Sequence, residues 1–424
     1  DLPPCGAAIY TVVPIETPPA FETGLRVDAT QLENVRLENG RYRVSLDERG
    51  RVTQIVDKGE NRALLDSPIE YQFLREHPRL FPAWNMEWRD RQRPPLARLD
   101  GPAEVEVIEA GPVRVSVQIT RHYGDSCFVQ QVRLSCGDAG DRIEFFDQVD
   151  WRETGVSCKA AFPLSISAPE ATYNWELGVI RRGNNDPKKF EVPAHQWFDL
   201  GNAEGDYGVT VLENCKYGSD KPADNVLRLT LLFTPQLGPL EVMFRDQGSQ
   251  DWGRHEFAYG LYGHRGSWQE AGSTRQAFRF NQPPICMRME PGFLTKTGFL
   301  GKRFSFLELD SEQVGLRALK KAEDRESLIL RCYELWGRPV DPVTLTLHPL
   351  LAGEGAIRAW AADGCERRLR ELTVEGNAVR FSMGAFGIQT IELELGPAAD
   401  QAPAPAYVPL PLPHNLLASR MVTS

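Results

Sequence analysis

Two short stretches of this 424-residue sequence concentrate side chains able to bind a polar ligand. In Phe81-Pro82-Ala83-Trp84-Asn85-Met86-Glu87-Trp88, indole faces alternate with amide and carboxylate groups. That mixture suits a sugar ring, whose C–H faces stack on aromatics while its hydroxyls hydrogen-bond to planar polar groups. It equally fits a loop pinned to a core by two tryptophans. The second stretch runs from Arg245 to Phe257 and packs Arg245, Asp246, Asp251, Arg254, His255 and Glu256 around Trp252 on turn-rich sequence. Acid, guanidinium and amide groups at this density can hold a polyol, or they decorate a solvated hairpin tip. Of the seven histidines, only His255 and His264, nine apart on Gly-rich sequence, invite a site. His255 and Glu256 cannot alone flank a sugar ring as acid and base, as in an epimerase, because neighbours on a strand point to opposite faces.

Other chemistries leave no trace. No His-Glu-x-x-His, Gly-x-Ser-x-Gly or P-loop pattern occurs, and Gly353-Glu354-Gly355 reads as a turn. The formal net charge of −10 repels phosphate backbones and anionic lipid, so neither nucleic acid nor a membrane is expected as a partner. The arginines at 75, 79, 89, 91, 93 and 98 are interrupted by Glu76, Glu87 and Asp90 and read as a polar loop or domain contact. Eight scattered cysteines without a Cys-x-x-Cys spacing read as reduced, buried thiols. Residues 1–11 lack a secretory pattern and no Asn-x-Ser/Thr sequon is present, which favours a cytoplasmic location.

The elements that must position these residues are strands. Apolar and polar residues alternate over five to nine positions between Gly, Pro, Asn and Asp, the signature of an all-β chain. Tyr42 to Leu46, a turn at Asp47 to Gly50, and Arg51 to Ile55 form a hairpin pattern; Val105–Ile108, Val113–Thr120, Cys127–Leu134 and Arg142–Val149 continue as a meander. Leu227–Phe233 and Phe304–Leu309 repeat the pattern. No βαβ alternation or helical period beyond about three turns appears, so a doubly wound nucleotide fold is disfavoured. The spacing predicts a large antiparallel sandwich over 25–300, a smaller one over 301–396, and an extended Ala/Pro-rich tail over 397–424. Residues 1–24 are expected to be a linker or strand leading from an upstream domain.

Phe190-Glu191-Val192-Pro193-Ala194-His195-Gln196-Trp197-Phe198-Asp199-Leu200, with Asp206-Tyr207-Gly208-Val209 and Leu212-Glu213-Asn214-Cys215-Lys216-Tyr217-Gly218, closely resembles the C-terminal region of family 38 glycoside hydrolases, the α-mannosidases. Val149 to Glu153, Lys159 to Leu164, Asp246-Gln247-Gly248, His255-Glu256-Phe257 and Asn281-Gln282-Pro283 are similar too. So are Leu319 to Asp324, Leu330 to Glu334 and Phe386 to Thr390. The resemblance implies a galactose-mutarotase-like supersandwich followed by a smaller β-sandwich. It also implies that the zinc ligands, the Asp nucleophile and the acid/base lie on an N-terminal barrel with no matching segment here. This chain would hold no cofactor itself, would pack against that barrel, and would help bind an α-mannoside or oligosaccharide.

In that family the loop equivalent to Trp84, Asn85 and Glu87 usually reads Ala-Trp-Asp-x-Asp and is expected near the sugar pocket; here Asn85 and Glu87 replace both acids. The insertion Ser249 to Arg254 is expected to lengthen a hairpin toward the barrel, making Arg245, Asp246, Arg254 and His255 candidate sugar or interface contacts. Pro193 is expected to fix a strand edge, Trp197 to fill the core, and His195 to be structural. A free-standing carbohydrate-binding module is the alternative reading.

Overall fold

The computed structural model describes residues 2–3, 5–10, 12–14, 16, 21–82, 84–236, 250–288, 302–349 and 357–396. Arg245, Asp246, Ser249, the Gly353 to Gly355 turn and the tail over 397–424 lie outside the described residues. Strands form where alternation lets one face be buried. In the first clear hairpin, Tyr42–Leu46 pairs with Val52–Asp57, and Asp47 Oδ1 accepts the N–H groups of Arg49 and Arg51 at 3.1 and 2.9 Å. Gly50 closes the turn at φ +66°; a Cβ there would come within 2.3 Å of the Ile119 side chain, so only glycine fits.

The chain divides into two compact units. The larger comprises Val13–Glu290 and Leu335–Gly337. Among its described residues is an antiparallel nine-stranded sheet, in the spatial order Gly178–Gly183, Glu170–Trp175, Trp197–Gly201, Tyr207–Glu213, Gly253–Arg265, Ile143–Trp151, Ser126–Ser135, Arg114–Tyr123, Glu104–Ala110. A six-stranded sheet runs Val192–Pro193, Gly218–Ala223, Val226–Thr234, Val156–Pro163, Glu70–Arg75, Ala97–Arg98. Beside it lies a five-stranded sheet from Arg26–Asp28 to Arg62–Ala63, joined to it by the bonds Asp66 N–H to Pro163 O and Ile69 N–H to Val52 O. One core is shared by all three: Val117, Phe128, Phe145 and Leu261 from the first sheet, Phe73, Phe162 and Leu229 from the second, Val44 and Ile55 from the third. Each such fully buried side chain contributes about 1.5–3 kcal/mol.

Two positions in the inward phase break the apolar pattern, Gln130 between Phe128 and Val132, and Asp147 between Phe145 and Val149. They meet Tyr71, Tyr259 and Arg121. Tyr71 Oη donates to Asp147 Oδ1 at 2.7 Å and lies 2.8 Å from Tyr259 Oη; Arg121 Nη2 donates to Gln130 Oε1 at 3.0 Å. Burial pushes the Asp147 carboxyl up to about 7, the hydrogen bond from Tyr71 and the nearby Arg121 only partly opposing it.

The outer face of the nine-stranded sheet is covered by the helix Ser273–Asn281, beneath which Trp197, Leu212, Tyr262, Trp268 and Ala277 make a small second core. Trp197 is thus buried as expected, in this satellite cluster. Beside it a polar chain ties sheet to helix: His264 Nε2 lies 2.8 Å from Asp199 Oδ2, Thr210 Oγ1 donates to that same oxygen at 3.0 Å, and Ser273 Oγ is 2.7 Å from Thr210 Oγ1. Gly208 makes room for the imidazole; a Cβ there would stand 2.4 Å from His264 Cε1.

The smaller unit takes Asp1–Val12, Pro291–Glu334 and the chain from Arg338. Gly6–Ala8, within the segment expected as a linker, pairs with Arg303–Ser305 of this unit. The run expected as one strand over Phe304–Leu309 is two. At Phe306 the chain changes partner, its N–H bonding Cys5 O and its carbonyl accepting His348 N–H, after which Leu307–Leu309 pairs with Val340–Leu347. A four-stranded and a five-stranded sheet share the core of Leu330, Cys332, Val343, Leu345, Val379, Ile391 and Leu393. At its edge Glu392 is held at about 2 by Arg368, Ser327 and Arg325, against the opposing pull of burial. The cysteines differ from expectation: Cys158 and Cys332 are buried, but Cys215, Cys286 and Cys365 are exposed, and none forms a disulfide.

Two predictions follow from the packing. Because Asp147 binds its proton more tightly folded than unfolded, the native state holds more protons between about pH 4 and 7, and stability falls as pH rises through that window. Asp147→Asn removes this slope, gaining roughly 2–4 kcal/mol relative to the parent at pH 8 compared with pH 4.5. Urea unfolding at the two pH values measures it; equal slopes would show that Asp147 is not the titrating group. Gly208→Ala, by pressing on the His264 ring, is expected to cost about 1–3 kcal/mol by the same denaturation measurement.

Candidate functional site

Strand polarity brings most of the candidates to one end of the large sandwich. Trp151 pairs with Gly253 where one strand ends and the other begins, and Cys127 pairs with Asp150 just after the turn at Gly124. In the facing sheet, Val156 at the start of its strand pairs with Arg75 and Thr234 at the ends of theirs. Among the described residues, the loop segments leaving that end are 76–82, 84–96, 152–155, 175–177, 194–196, 214–217, 235–236 and 250–252. They carry Trp84, Asn85 and Glu87, and Arg254 and His255 lie at the start of the strand Gly253–Arg265 at the same end. His264 is nine residues from His255 on one strand, about 30 Å away and in the opposite phase, so the two cannot share a site.

The loop bearing Trp84 is built on a buried ionic floor. Strand Val156–Pro163 is covered on both faces, its even positions facing the core and Ser157 and Lys159 facing outward under the loop 76–96 and the segment 184–191. Lys159 has no solvent exposure, and its ammonium is held by Glu191 and by Asp220 Oδ1 at 2.9 Å. Asp220 also binds Arg228 and accepts from Asn185 Nδ2 at 2.6 Å. Alongside, Arg91 pairs with Glu76, both side chains fully enclosed, and Ser157 Oγ donates to Glu76 Oε1 at 2.7 Å. Desolvation raises the Glu76 carboxyl above the usual range, while the charged neighbours around Asp220 hold it well below.

Above this floor the short helix Trp88–Arg91 is clamped by Arg89 Nη2 donating to His77 O at 2.7 Å and His77 N–H donating to Asp90 Oδ2 at 3.0 Å. Trp88 packs against Phe190 with ring centroids 5.6 Å apart. The two tryptophans thus divide: Trp88 pins the loop, whereas Trp84 stands 89% exposed. Asn85 is spent locally, donating to Leu80 O at 3.0 Å, and Glu87 Oε1 accepts the Arg79 N–H at 2.9 Å with Arg89 beside it at 3.4 Å. Asn85 and Glu87 thus act as loop braces in this geometry, and the Trp84 indole faces solvent.

Part of the insertion folds inward instead of lengthening a free hairpin. Trp252 Nε1 donates to Glu153 O at 2.9 Å and Gln250 Nε2 to Pro235 O at 3.2 Å. Arg254 is exposed and opposite Asp150 in register; His255 is half-buried, with Nε2 2.8 Å from Asp251 O. A carboxyl that the sequence reading did not single out, Glu213, sits nearby in the core-facing phase. Burial pushes it up to about 9, and only the Lys216 N–H at 3.2 Å opposes this. The Lys216 ammonium lies 4.8 Å from the Phe257 ring and is lowered by desolvation. A polar residue closing a strand in the inward phase was the available signal.

His195 is a positioned residue, as expected, with Nε2 3.0 Å from Glu176 Oε2 and its ring stacked on Tyr217. Among the described residues no three His, Cys, Asp or Glu side chains converge to hold a metal ion. A concavity of about 360 Å³ lies at the opposite end of the sheet, lined by Glu109, Gly111, Pro112, Val113, Arg114 and Ser135. Its two charges, Glu109 and Arg114, neutralise one another at 2.7 Å. No helix among the described residues is long and apolar enough to cross a membrane.

Known proteins were compared with the chain. The family model described as glycosyl hydrolases family 38 C-terminal domain matches residues 37–237, and that described as the family's C-terminal beta sandwich domain matches 313–391. A mouse protein named alpha-mannosidase 2C1 is 31% identical over 420 residues, covering 92% of this chain and 38% of its own length. Alpha-mannosidase G of Dictyostelium discoideum is 28% identical over 320 residues, covering 72% and 28%. A family 38 structure from Enterococcus faecalis superposes with a TM-score of 0.67 at 17% identity, covering 89% of this chain and 45% of that one. The chain thus spans less than half the length of these relatives. With both sandwiches matched in order along the sequence, it belongs to glycosyl hydrolase family 38 and corresponds to that family's C-terminal β region.

Proposed function

We propose that this chain is the non-catalytic C-terminal portion of a zinc-dependent retaining α-mannosidase. In that reading it buttresses a catalytic barrel and lends one wall to the α-mannoside site, in the cytoplasm. The observation that carries the reading is the braced loop at the sandwich rim, which puts Trp84 into solvent on a buried ionic floor. An indole so placed has a free face for the apolar side of a pyranose, and its surroundings hold the loop without competing for that face. Retaining hydrolysis needs two carboxylates about 5 Å apart and, in this family, a zinc ion; both would be supplied by residues outside this chain. The names of the mannosidase relatives support the substrate class.

Hydrolysis of a chromogenic α-mannoside by the purified 424-residue chain with added zinc is expected to be nil; turnover surviving repurification would overturn the non-catalytic assignment. In the enzyme reassembled with a catalytic domain, Trp84→Ala is expected to raise KM for an α-mannoside roughly three- to tenfold with kcat changed less than about twofold. An unchanged KM would remove Trp84 from the substrate wall.

A further inference from the structure

At the same rim, on loops distinct from that of Trp84, two large aromatic residues remain half exposed although they are firmly held. Trp175 ends its strand in the same phase as Tyr173, one step beyond the core, and keeps 48% of its surface in solvent. Arg182 on the neighbouring strand lies over both rings, 5.1 Å from Tyr173 and 5.8 Å from Trp175, and is itself fixed by donating Nη1–H to Pro193 O at 2.6 Å. Tyr217 is 50% exposed, with its ring stacked on His195 at 6.1 Å and 21°. Backbone bonds weld the three loops together: His195 N–H to Asn174 O at 3.0 Å and Ala194 N–H to Tyr217 O at 2.8 Å. The imidazole is oriented by Glu176 at 3.0 Å, and Asn174 Nδ2 donates to Trp175 O at 2.9 Å, stiffening the turn that follows.

We infer that Trp175, Tyr217 and the His195–Glu176 pair form a saccharide subsite that binds a neutral pyranoside. The inference rests on the proposed role of the chain in an α-mannoside-processing enzyme, and it adds a second sugar contact to that of Trp84. The chemistry is specific in three ways. Rigid aromatic faces offered to water suit the C–H face of a pyranose, and ordering them costs little because they are already held. Glu176 and His195 supply acceptor and donor atoms for ring hydroxyls beside those faces. Arg182 is committed to a carbonyl and two rings, so its guanidinium is not vacant for a phosphate or sulfate ester. Glu213, four residues before Tyr217, carries a buried Oε1 with no hydrogen-bond partner among the described residues.

Calorimetric titration of the 424-residue chain with an α-linked mannotriose tests this. Millimolar binding is expected, weakened roughly five- to tenfold by Tyr217→Ala and by Trp175→Ala and changed less than about twofold by Tyr217→Phe, which keeps the face. Both alanine variants remove half-exposed side chains, and circular dichroism confirms that each folds. Absence of binding, or binding equal in parent and alanine variants, overturns the subsite. α-Mannoside turnover by the reassembled enzyme with kinetics indifferent to Tyr217 and Trp175 removes the subsite and leaves the family reading standing. Tyr217-dependent saccharide binding in an assembly without mannosidase turnover keeps the subsite and removes that reading.

Discussion

The ammonium of Lys159 has no water, and the outer layer of the large unit is arranged around that fact. An enclosed cation is tolerated only when paired and hydrogen-bonded, so the face of strand Val156–Pro163 that carries it must bring carboxylates with it. Asp220 comes from the same sheet two strands away, Glu191 from the segment that crosses above. Arg228 and Asn185 then saturate Asp220, and the neighbouring Glu76–Arg91 pair anchors the stem of the loop 76–96. Removing Glu76 or Arg91 would leave the other buried without its partner, which costs about 3–5 kcal/mol. The network contributes a single placement for two covering segments that hold little regular structure beyond the short helix Trp88–Arg91, more than it contributes net stability.

With those segments fixed, antiparallel topology does the rest. Strand ends fall at one of two rims, and the registers put the segments with Trp84, Trp175, His195 and Tyr217 and the start of the strand carrying His255 on the same one. The interior face of the sheet cannot host a ligand, because Phe128, Phe145, Tyr259 and the hydrogen-bonded Asp147 cluster fill it. At the rim, aromatic residues that continue the inward phase run out of core to pack against. Trp175 after Tyr173 is the plainest case: two positions on, the same phase leads from a buried ring to a half-exposed one.

Legibility in the sequence followed sequence separation. The hairpin at Asp47 to Gly50 and the meander from Glu104 to Trp151 were readable because alternation and turn residues are local. Strand Tyr207–Glu213, buried on both faces, carried no alternation to read, and only the resemblance of its flanking string marked it. The arginines between 75 and 98 read in sequence as a polar loop or domain contact. In the structure Arg91 is enclosed with Glu76, Arg75 approaches Asp90 at 3.7 Å, and Arg98 binds Glu70 at 2.8 Å. A loop has no period, so nothing local distinguished the buried guanidinium from the exposed ones. Tyr217, His195 and Trp175 meet only through strand pairings, each about twenty residues or more apart in sequence, and no spacing motif reports such a contact.

The two aromatic contacts at the rim differ in what they must lose to bind. Trp84 lies between Phe81 at φ +53° and the helix Trp88–Arg91, and its indole makes no hydrogen bond or ring contact among the described residues. Fixing it on a ligand therefore costs rotamer and loop freedom. Tyr217 and Trp175 have already lost theirs, to His195 and Arg182. A rigid platform discriminates by shape because it cannot follow a wrong ligand, whereas a freer indole adapts and closes on what the platform has oriented. The Glu76–Arg91 pair limits how far that adaptation can travel, because it holds the loop's stem while leaving its tip free. The rim thus combines a welded side, Tyr217 with His195 and Trp175 with Arg182, and an exposed indole whose loop stem is held by the charges buried beneath it.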